Sequence, residues 1–470
     1  MITISSLKNA HVGVFGLGVS GLATCEALIA SGAHVYSWDE NKAAREKTAN
    51  TEYRCEHPKQ WPWDAMEYVV VSPGVPLTHP KPHAIVRKAR ASNIPVVGDV
   101  ELFARAIAEI EESERPRIVA VTGSNGKSTT SALIAHILRS VGENAQLGGN
   151  IGEAVLSLAA PVSSTIYVLE LSSFQLDLTY SLAADVSVLL NITPDHIDRH
   201  GTLGAYVEAK KRIFRNQSPS NLAVVGVDDE YSEAICTALK AAGAQGIAPI
   251  SAQSTLGEGA YALGGSLYYN LDGKTIEAGE LSGAKALCGS HNHQNASAAL
   301  VTCQKLGVAP AVSVNAMERF EGLPHRMEII AVEGYPNFIN DSKATNAGAA
   351  MRALAAFDDV FWIAGGRAKS DGAIPLRNSL GNVRRAYLFG EAADLFAQQL
   401  EGLVSIVLCE NLDVAIQNAL TDATASDAKQ PVILFSPACA SYDQYRNFEE
   451  RGDAFRACVE ELVFQNGAAA

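Results

Sequence analysis

Short apolar runs recur along this chain, and most are followed by stretches whose apolar positions lie three and four apart. Val12–Phe15 and His34–Trp38 read as strands around a helix, and Tyr68–Val71 as another strand. Ile118–Val121 is a buried run, and from Lys127 onward Leu133, Ile134, Ile137 and Leu138 return at helical spacing. "STIYVLELSSFQL" and "VSVLLNITPDHIDRHGT" each set an apolar strand before a polar loop, and "YVEAKKRIF" is helical. Residues 258–280 alternate and carry "NLDGKT", where Asp272–Gly273 is a hairpin signal. "GSHNHQNASAAL" opens a helix. Then "FINDSKATN", "VFWIAGG", "AYLFG", "VSIVLCE" and "VILFSPACAS" repeat strand and loop before a long helix from about Phe448. The alternation is α/β. Two linker-like stretches, "EESERPR" and the Pro324-containing "EGLPHRME", predict three domains: residues 1–99, 100–323 and 324–470.

The length of 470 residues suits several cores rather than one. No apolar run approaches the roughly 20 residues of a membrane span. The first residues pass into a strand without a signal-peptide core, so a cytoplasmic protein is expected. The eight Cys are scattered singly with no C-x-x-C, which favours reduced thiols over a zinc site or disulfide framework. A formal charge of −14 argues against a nucleic-acid partner. It leaves anionic small ligands open, because a site's field is set locally.

Two glycine-containing turns mark the first domain. Gly16, Gly18 and Gly21 form G-x-G-x-x-G between strand and helix, with Asp39 ending the next strand, which is a dinucleotide fingerprint. Alone it says NAD-dependent dehydrogenase; the reading preferred here is a turn that holds a nucleotide's phosphates with no hydride transfer. Ser72–Pro73–Gly74 lies at a strand's C-terminal end, where open sheets bind ligands, but equally suits a plain turn. In the second domain "VTGSNGKST" is a phosphate loop one residue short, with Val121 where the first Gly belongs. Its amides and the following helix N-terminus face an anion, with Lys127 as point charge and Ser128 placed for Mg²⁺. Glu170, ending a second buried strand, is the usual acidic partner of such a cation. His196 sits amid Asp195, Asp198 and His200, either a metal or phosphate site or a solvated loop. Lys210 and Lys211 taken alone are surface lysines. Asn292 and Asn295 share one helix face, or simply cap it. Asp341, Lys343, Thr345, Asn346, Lys369 and Ser441 follow strands of the third domain and suggest a ligand face.

The receiver of the phosphoryl group is the open question. A guanine-reading N-K-x-D is absent, since the single Asn41–Lys42 is followed by Ala-Ala. A motor or helicase would show a basic track. A dehydrogenase leaves Lys127 and Glu170 without a role. A ligase uses all three domains, whereas a nucleotide-binding sensor, the non-enzyme alternative, has no need of the third.

TGSNGKST, LELSSFQL, NITPDHIDRH, EAKKRI, HNHQNASAA, GLPHR, NDSKATN and SPACASYDQYRNFEERG, in that order, resemble the Mur ligases over essentially the whole chain. NDSKATN with SPACAS…NFEERG is similar to the branch that adds D-glutamate, and the D-N-P-R motif of the diaminopimelate- or lysine-adding branch is absent. The resemblance implies a P-loop-type central ATPase domain between Rossmann-like N- and C-terminal domains. It implies a monomeric ATP-dependent ligase with two Mg²⁺ sites, joining D-glutamate to UDP-N-acetylmuramoyl-L-alanine (UDP-MurNAc-L-Ala) in peptidoglycan precursor synthesis. An L-alanine-adding ligase or a folylpolyglutamate synthetase-like enzyme is the neighbouring alternative. Carried over, Gly123, Ser124, Asn125, Gly126, Lys127, Ser128 and Thr129 hold ATP phosphates, and Asn292, Asn295, Arg326 and Asp341 take adenine and ribose. Ser128 and Glu170 hold one Mg²⁺; His196 and Lys210, as its carbamate, hold the second. Gly16, Leu17, Gly18, Val19, Ser20, Asp39, Ser72, Pro73 and Gly74 take the uridine diphosphate, with Asn150 and His196 near the substrate. Lys343 faces the reacting phosphate, and Thr345, Lys369, Ser441, Tyr442 and Phe448 surround D-glutamate. Lys210 rather than Lys211 matches the motif lysine before x-R-I. Arg367 in "GGRAKS" stands where some relatives carry an acidic residue, which leaves that loop's contacts open.

Overall fold

In a computed structural model the apolar runs assemble into three sheets. The structure describes residues 1–48, 51, 53–271, 273–287, 289–330, 334–369 and 371–467. The first sheet contains β1 (His11–Phe15), β2 (His34–Trp38), β3 (Arg54–Cys55), β4 (Met66–Val71) and β5 (Val96–Val97), all parallel, in the order β3-β2-β1-β4-β5. Strand order reverses beside β1, so the C-terminal ends of β1 and β4 bound a switch-point crevice.

The second sheet begins with β6 (Arg117–Thr122), β7 (Asn144–Gly149), β8 (Thr165–Glu170) and β9 (Val186–Leu189). It continues through β10 (Leu222–Gly226), β11 (Gly246–Ser251), β12 (Ala260–Leu263), β13 (Ser266–Leu271) and β14 (Lys274–Glu280). The order is β14-β13-β12-β11-β10-β9-β6-β8-β7, with β13 antiparallel to both β12 and β14. Asp272 of the expected hairpin turn lies outside the described residues; Gly273 has φ +74°, as that turn needs. Every residue of β8 and of β9 is buried, which explains unbroken apolar runs where an exposed sheet would alternate. β6 pairs with β8 on one side and β9 on the other, aligning Val121 with Glu170 and Thr122 with Leu189. A second switch point therefore opens over β6, β8 and β9.

The first two sheets share one continuous core. Ile2, Ile4, Val12 and Phe103 belong to the same apolar cluster as Leu156, Tyr167 and Leu189. The Phe103 and Tyr167 rings meet edge-on at 5.1 Å, and Ile2 N–H donates to Leu156 O at 3.0 Å. Glu101, fully buried, accepts from Tyr180 and Ser181 N–H at 2.7 and 2.9 Å. The chain accordingly falls into two compact units, Met1–Phe320 and Glu321–Ala470.

The second unit holds β15 (Glu328–Ile330), β16 (Asn337–Asn340), β17 (Val360–Gly365), β18 (Val383–Phe389), β19 (Ile406–Leu408) and β20 (Val432–Phe435), in the order β15-β16-β20-β17-β18-β19. β15 pairs antiparallel with β16 and the other pairs are parallel. Trp362, Leu388 and Leu434 fill the core on one face; Ile363, Phe389 and Phe435 fill it on the other. Among the described residues no helix is long and apolar enough to cross a membrane.

Candidate active site

The first crevice is built from backbone. Gly16 adopts φ +95°, and a Cβ there would collide with the Ser72 side chain. Ser72 Oγ–H donates to Gly16 O at 2.9 Å, so the two turns are tied directly together. Leu17 is buried, Gly18 starts the helix Val19–Ala30, and Val19 is three-quarters exposed at its first turn. Among the described residues, apart from the chain on either side, no atom lies within 4 Å of where a Cβ would stand on Gly18 or Gly74, which leaves both sides of the crevice open beside Ser20 and Pro73. Asp39 accepts Leu17 N–H at 2.6 Å and Asn41 N–H at 2.7 Å. Its carboxylate thus also fixes the glycine turn, a role that the dinucleotide fingerprint does not imply. Arg199 Nη2–H reaches Val75 O at 2.8 Å and joins this turn to the segment that carries His196.

The second crevice gathers loops from three strand ends. After β6 the chain turns through Gly123–Gly126 into the helix Lys127–Ser140, with Gly126 at φ +83°. A Cβ on Gly126 would collide with Asn295 Oδ1. Only glycine lets the loop pass beneath Asn295, which in turn donates from Nδ2 to Asn292 Oδ1 at 3.0 Å. Lys127 Nζ lies on the loop carbonyls of Gly123 and Ser124 at 2.9 and 3.0 Å. Ser128 and Thr129 are buried in the first helical turn, for whose N–H groups the helix itself supplies no carbonyl. The Ser124 and Asn125 N–H groups are different: Asn191 O and Oδ1 accept them at 2.8 and 2.9 Å. The loop's anion-facing donors are therefore fewer than its seven residues suggested.

Lys210 and Lys211 are adjacent in sequence and opposite in setting. Lys210, on the helix Leu203–Lys211, is 1% exposed, and its Nζ donates to Gly123 O at 2.7 Å and Thr122 Oγ1 at 3.4 Å. Its ammonium is held well below the usual lysine range by burial and then by Lys127, against opposing pull from Asp195 and Glu170. Lys211 is only half-buried and pairs with Glu208 at 3.4 Å. His196 adopts φ +53°, packs on Phe174 at 4.8 Å and lies 3.5 Å from Asp195. Burial lowers its pKa despite Asp195, which favours the neutral, ligand-competent imidazole.

Glu170 at the end of β8 is 1% exposed. Asn150 Nδ2–H donates to its Oε1 at 2.6 Å, but no donor among the described residues reaches the buried Oε2. An anionic oxygen left without a partner beside a phosphate loop suits a hard divalent cation. Among the described residues no three His, Cys, Asp or Glu cluster as a metal cage, so such an ion would depend on Ser128 and phosphate oxygens for other ligands. Unmodified Lys210 is a donor and fits no cation; a carbamate on the same nitrogen would offer oxygens.

In the second unit Asp341 is buried, accepting Ser436 Oγ–H at 2.8 Å and Met327 N–H at 3.3 Å. Burial lifts its pKa to about 7, against those hydrogen bonds and Arg326. The folded state then retains a proton that the unfolded chain loses near 3.8, so this stabilisation is full below that value and is gone above about 7. Asp341→Asn, which cannot ionise, should therefore gain on the wild type by at least about 1 kcal/mol between pH 5 and 8. Amide exchange in residues 321–470 would measure it, and a pH-independent difference would contradict it. Lys343 lies over the Phe448 ring at 4.7 Å, and Ser342 Oγ–H donates to Phe448 O at 2.8 Å. Thr345 N–H donates to Lys343 O at 2.8 Å. Arg367 N–H and O exchange hydrogen bonds with Ala440 at 2.8 and 3.0 Å, bringing the loops of Lys369 and Ser441 side by side. Arg367 pairs with Glu391 at 2.9 Å. Ser441 is buried, whereas Tyr442 is 67% exposed. Arg451, buried and marked by no spacing in the sequence, donates from Nε to Ser342 Oγ and from Nη2 to Ser342 O at 3.0 and 2.7 Å.

Comparison with known proteins agrees with this architecture. Residues 10–98 match the Mur ligase MurD-like N-terminal domain, 121–303 the Mur ligase middle domain, and 325–439 the Mur ligase glutamate ligase domain. The UDP-N-acetylmuramoylalanine–D-glutamate ligase of Caulobacter vibrioides is 46% identical over 470 residues, the whole of both chains. Among solved structures, the UDP-N-acetylmuramate-alanine ligase of Thermotoga maritima shares the fold at TM-score 0.58 and 17% identity, over 96% of this chain and 99% of its own. A MurF ligase from Thermotoga maritima in complex with ADP aligns at TM-score 0.55 and 17% identity, over 99% and 98%. Full-length identity of this order, with the matched domains in sequence, means that the chain belongs to the Mur ligase family.

Proposed function

We propose that this enzyme joins D-glutamate to the L-alanine carboxylate of UDP-MurNAc-L-Ala at the expense of ATP, in peptidoglycan precursor synthesis. The observation that carries the chemistry is the convergence of the shortened loop, Glu170 and Lys210 on one switch point. The choice of amino acid is supported by the Caulobacter relative and by the match to the glutamate ligase domain. In this reading residues 1–99 bind the nucleotide sugar, 100–323 bind ATP, and 324–470 bind D-glutamate. Nucleotide-sugar and ATP substrates fit a cytoplasmic enzyme, and one chain supplies every assigned residue, so we read a monomer.

Lys127 and the amides opening its helix bind the β- and γ-phosphates, as a helix N-terminus does for anions. Ser128 and Glu170 would hold one magnesium ion, and His196 with carbamoylated Lys210 a second; bound there, magnesium neutralises charge on the transferring group. The alanine carboxylate forms a bond to the γ-phosphorus as the bond to the β-bridging oxygen breaks, giving an acyl phosphate and ADP. The D-glutamate amine then attacks the carbonyl carbon, gives up a proton and expels phosphate. Asn292, Asn295, Arg326 and Asp341 orient the nucleoside, and Lys343 faces the phosphate oxygens. Thr345, Lys369, Ser441, Tyr442 and Phe448 present the amine, with Lys369 on a substrate carboxylate. Positioning and charge neutralisation account for the rate.

Phosphate release with UDP-MurNAc-L-Ala, ATP and a panel of amino acids tests the reading. D-glutamate should be used almost exclusively. L-glutamate or L-alanine serving equally well would refute the assignment, because an L-isomer held by the same carboxylates turns its amine away.

A further inference from the structure

The phosphate loop is one residue short, and its conformation is held from outside. Asn191, just beyond β9, accepts Ser124 N–H through its carbonyl and Asn125 N–H through Oδ1, at 2.8 and 2.9 Å. Its Nδ2 returns a hydrogen bond to Asn125 O at 3.3 Å, so one side chain pairs with both polar groups of a loop residue, as a neighbouring strand would. The same Nδ2 reaches Gln294 Oε1 at 3.1 Å, and Gln294 Nε2 donates to Asp228 Oδ2 at 2.9 Å. Asp228 is itself fixed by Ala252 N–H at 2.8 Å and by Ser251 Oγ–H. The polarity of this relay is defined at every step. Asp228 is a carboxylate and can only accept, so Gln294 turns its amide nitrogen outward and its oxygen toward Asn191. Asn191 must then donate to Gln294, which leaves Oδ1 for Asn125. Thr193 completes the seam, exchanging hydrogen bonds with Ser124 Oγ at 2.9 and 3.0 Å.

We infer that Asn191 is a positioning residue for nucleotide binding, oriented by Gln294 and Asp228, which does from β9 the bracing that the shortened loop cannot do for itself. This rests on reading Gly123–Thr129 as the ATP phosphate site. Two amides are drawn inward to Asn191, which turns the loop so that the amides opening the helix face the ligand. Without the brace the loop keeps its donors but not their directions.

Titration of the full-length protein with a fluorescent ADP analogue, in parallel with UDP-MurNAc-L-Ala, tests this. Asn191→Ala should weaken nucleotide binding at least about tenfold and leave the UDP substrate within about twofold. Gln294→Met, which keeps the volume but not the acceptor, should weaken nucleotide binding in the same direction by less. Asn191→Ala with wild-type nucleotide affinity would overturn the inference, as would equal losses for both ligands, the mark of a merely structural residue. Lys127→Ala separates the two levels of the argument: if it too leaves nucleotide affinity unchanged, the site assignment fails, whereas a loss confined to Lys127→Ala refutes only the role of Asn191.

Discussion

Lys210→Ala is expected to lose turnover by at least about 10²–10³-fold, the scale for removing a preorganised charge stabiliser, while the protein remains folded. The expectation comes from the lysine's surroundings. A charged ammonium 1% exposed, beside Lys127, is an expensive group, and burial pushes it toward the neutral amine. The neutral amine is the form that adds carbon dioxide, and the resulting carbamate is an anion with two oxygens. Bicarbonate or a short carboxylate should then restore part of the activity of Lys210→Ala by occupying the vacated volume. Lys211→Ala should be nearly silent, since its side chain pairs with an exposed glutamate one turn back and lies outside the loop's carbonyls. Wild-type rates for Lys210→Ala would refute the carbamate, and loss in Lys211→Ala instead would mean the other lysine carries it.

Glu170→Gln is expected to produce a loss of similar size, with a raised magnesium requirement and no loss of thermal stability. Among the described residues no donor reaches the second oxygen of this buried carboxylate, which is a cost to the fold, and the neutral amide removes the charge. Function and stability should therefore move apart, which damage to packing would not do. Broadening of resonances by Mn²⁺ in wild type and variant would locate the ion. Retained turnover with an unaltered magnesium dependence would show that no cation is held there.

Much of this molecule could be read from its residues, and the limits of that reading have physical causes. Strands β6, β8 and β9 are legible because they are buried along nearly their whole length, leaving unbroken apolar runs such as Ile118–Val121. Glu170 stood out as an acid ending such a run. Asn191 ends another run, "VSVLLN", and carries the same signal, but a neutral amide does not announce chemistry as a carboxylate does. Lys210 and Lys211 look identical in sequence, because which one faces the loop depends on the rotation of the helix Leu203–Lys211 against β6. The roles of Asp39 and Arg451 depend on partners distant in sequence or on backbone groups, which side-chain patterns do not reveal. The linker "EESERPR" reads as a break in composition, yet the apolar cluster on either side of it is continuous.

That continuity bears on how such a chain can be rearranged. Ile2, Ile4 and Phe103 share a cluster with Val155, Leu156 and Tyr167, although the linker lies between the two groups. A chimaera exchanging only residues 1–99 for those of another family member would take Ile2 and Ile4 out of the cluster that contains Val155 and Leu156, and would expose Leu156 or overpack it. The two segments are modular in outline and co-dependent in substance. Recombination should succeed at the junction near Phe320, where the compact units divide, and should fail at the linker unless the complementary apolar positions travel with the graft.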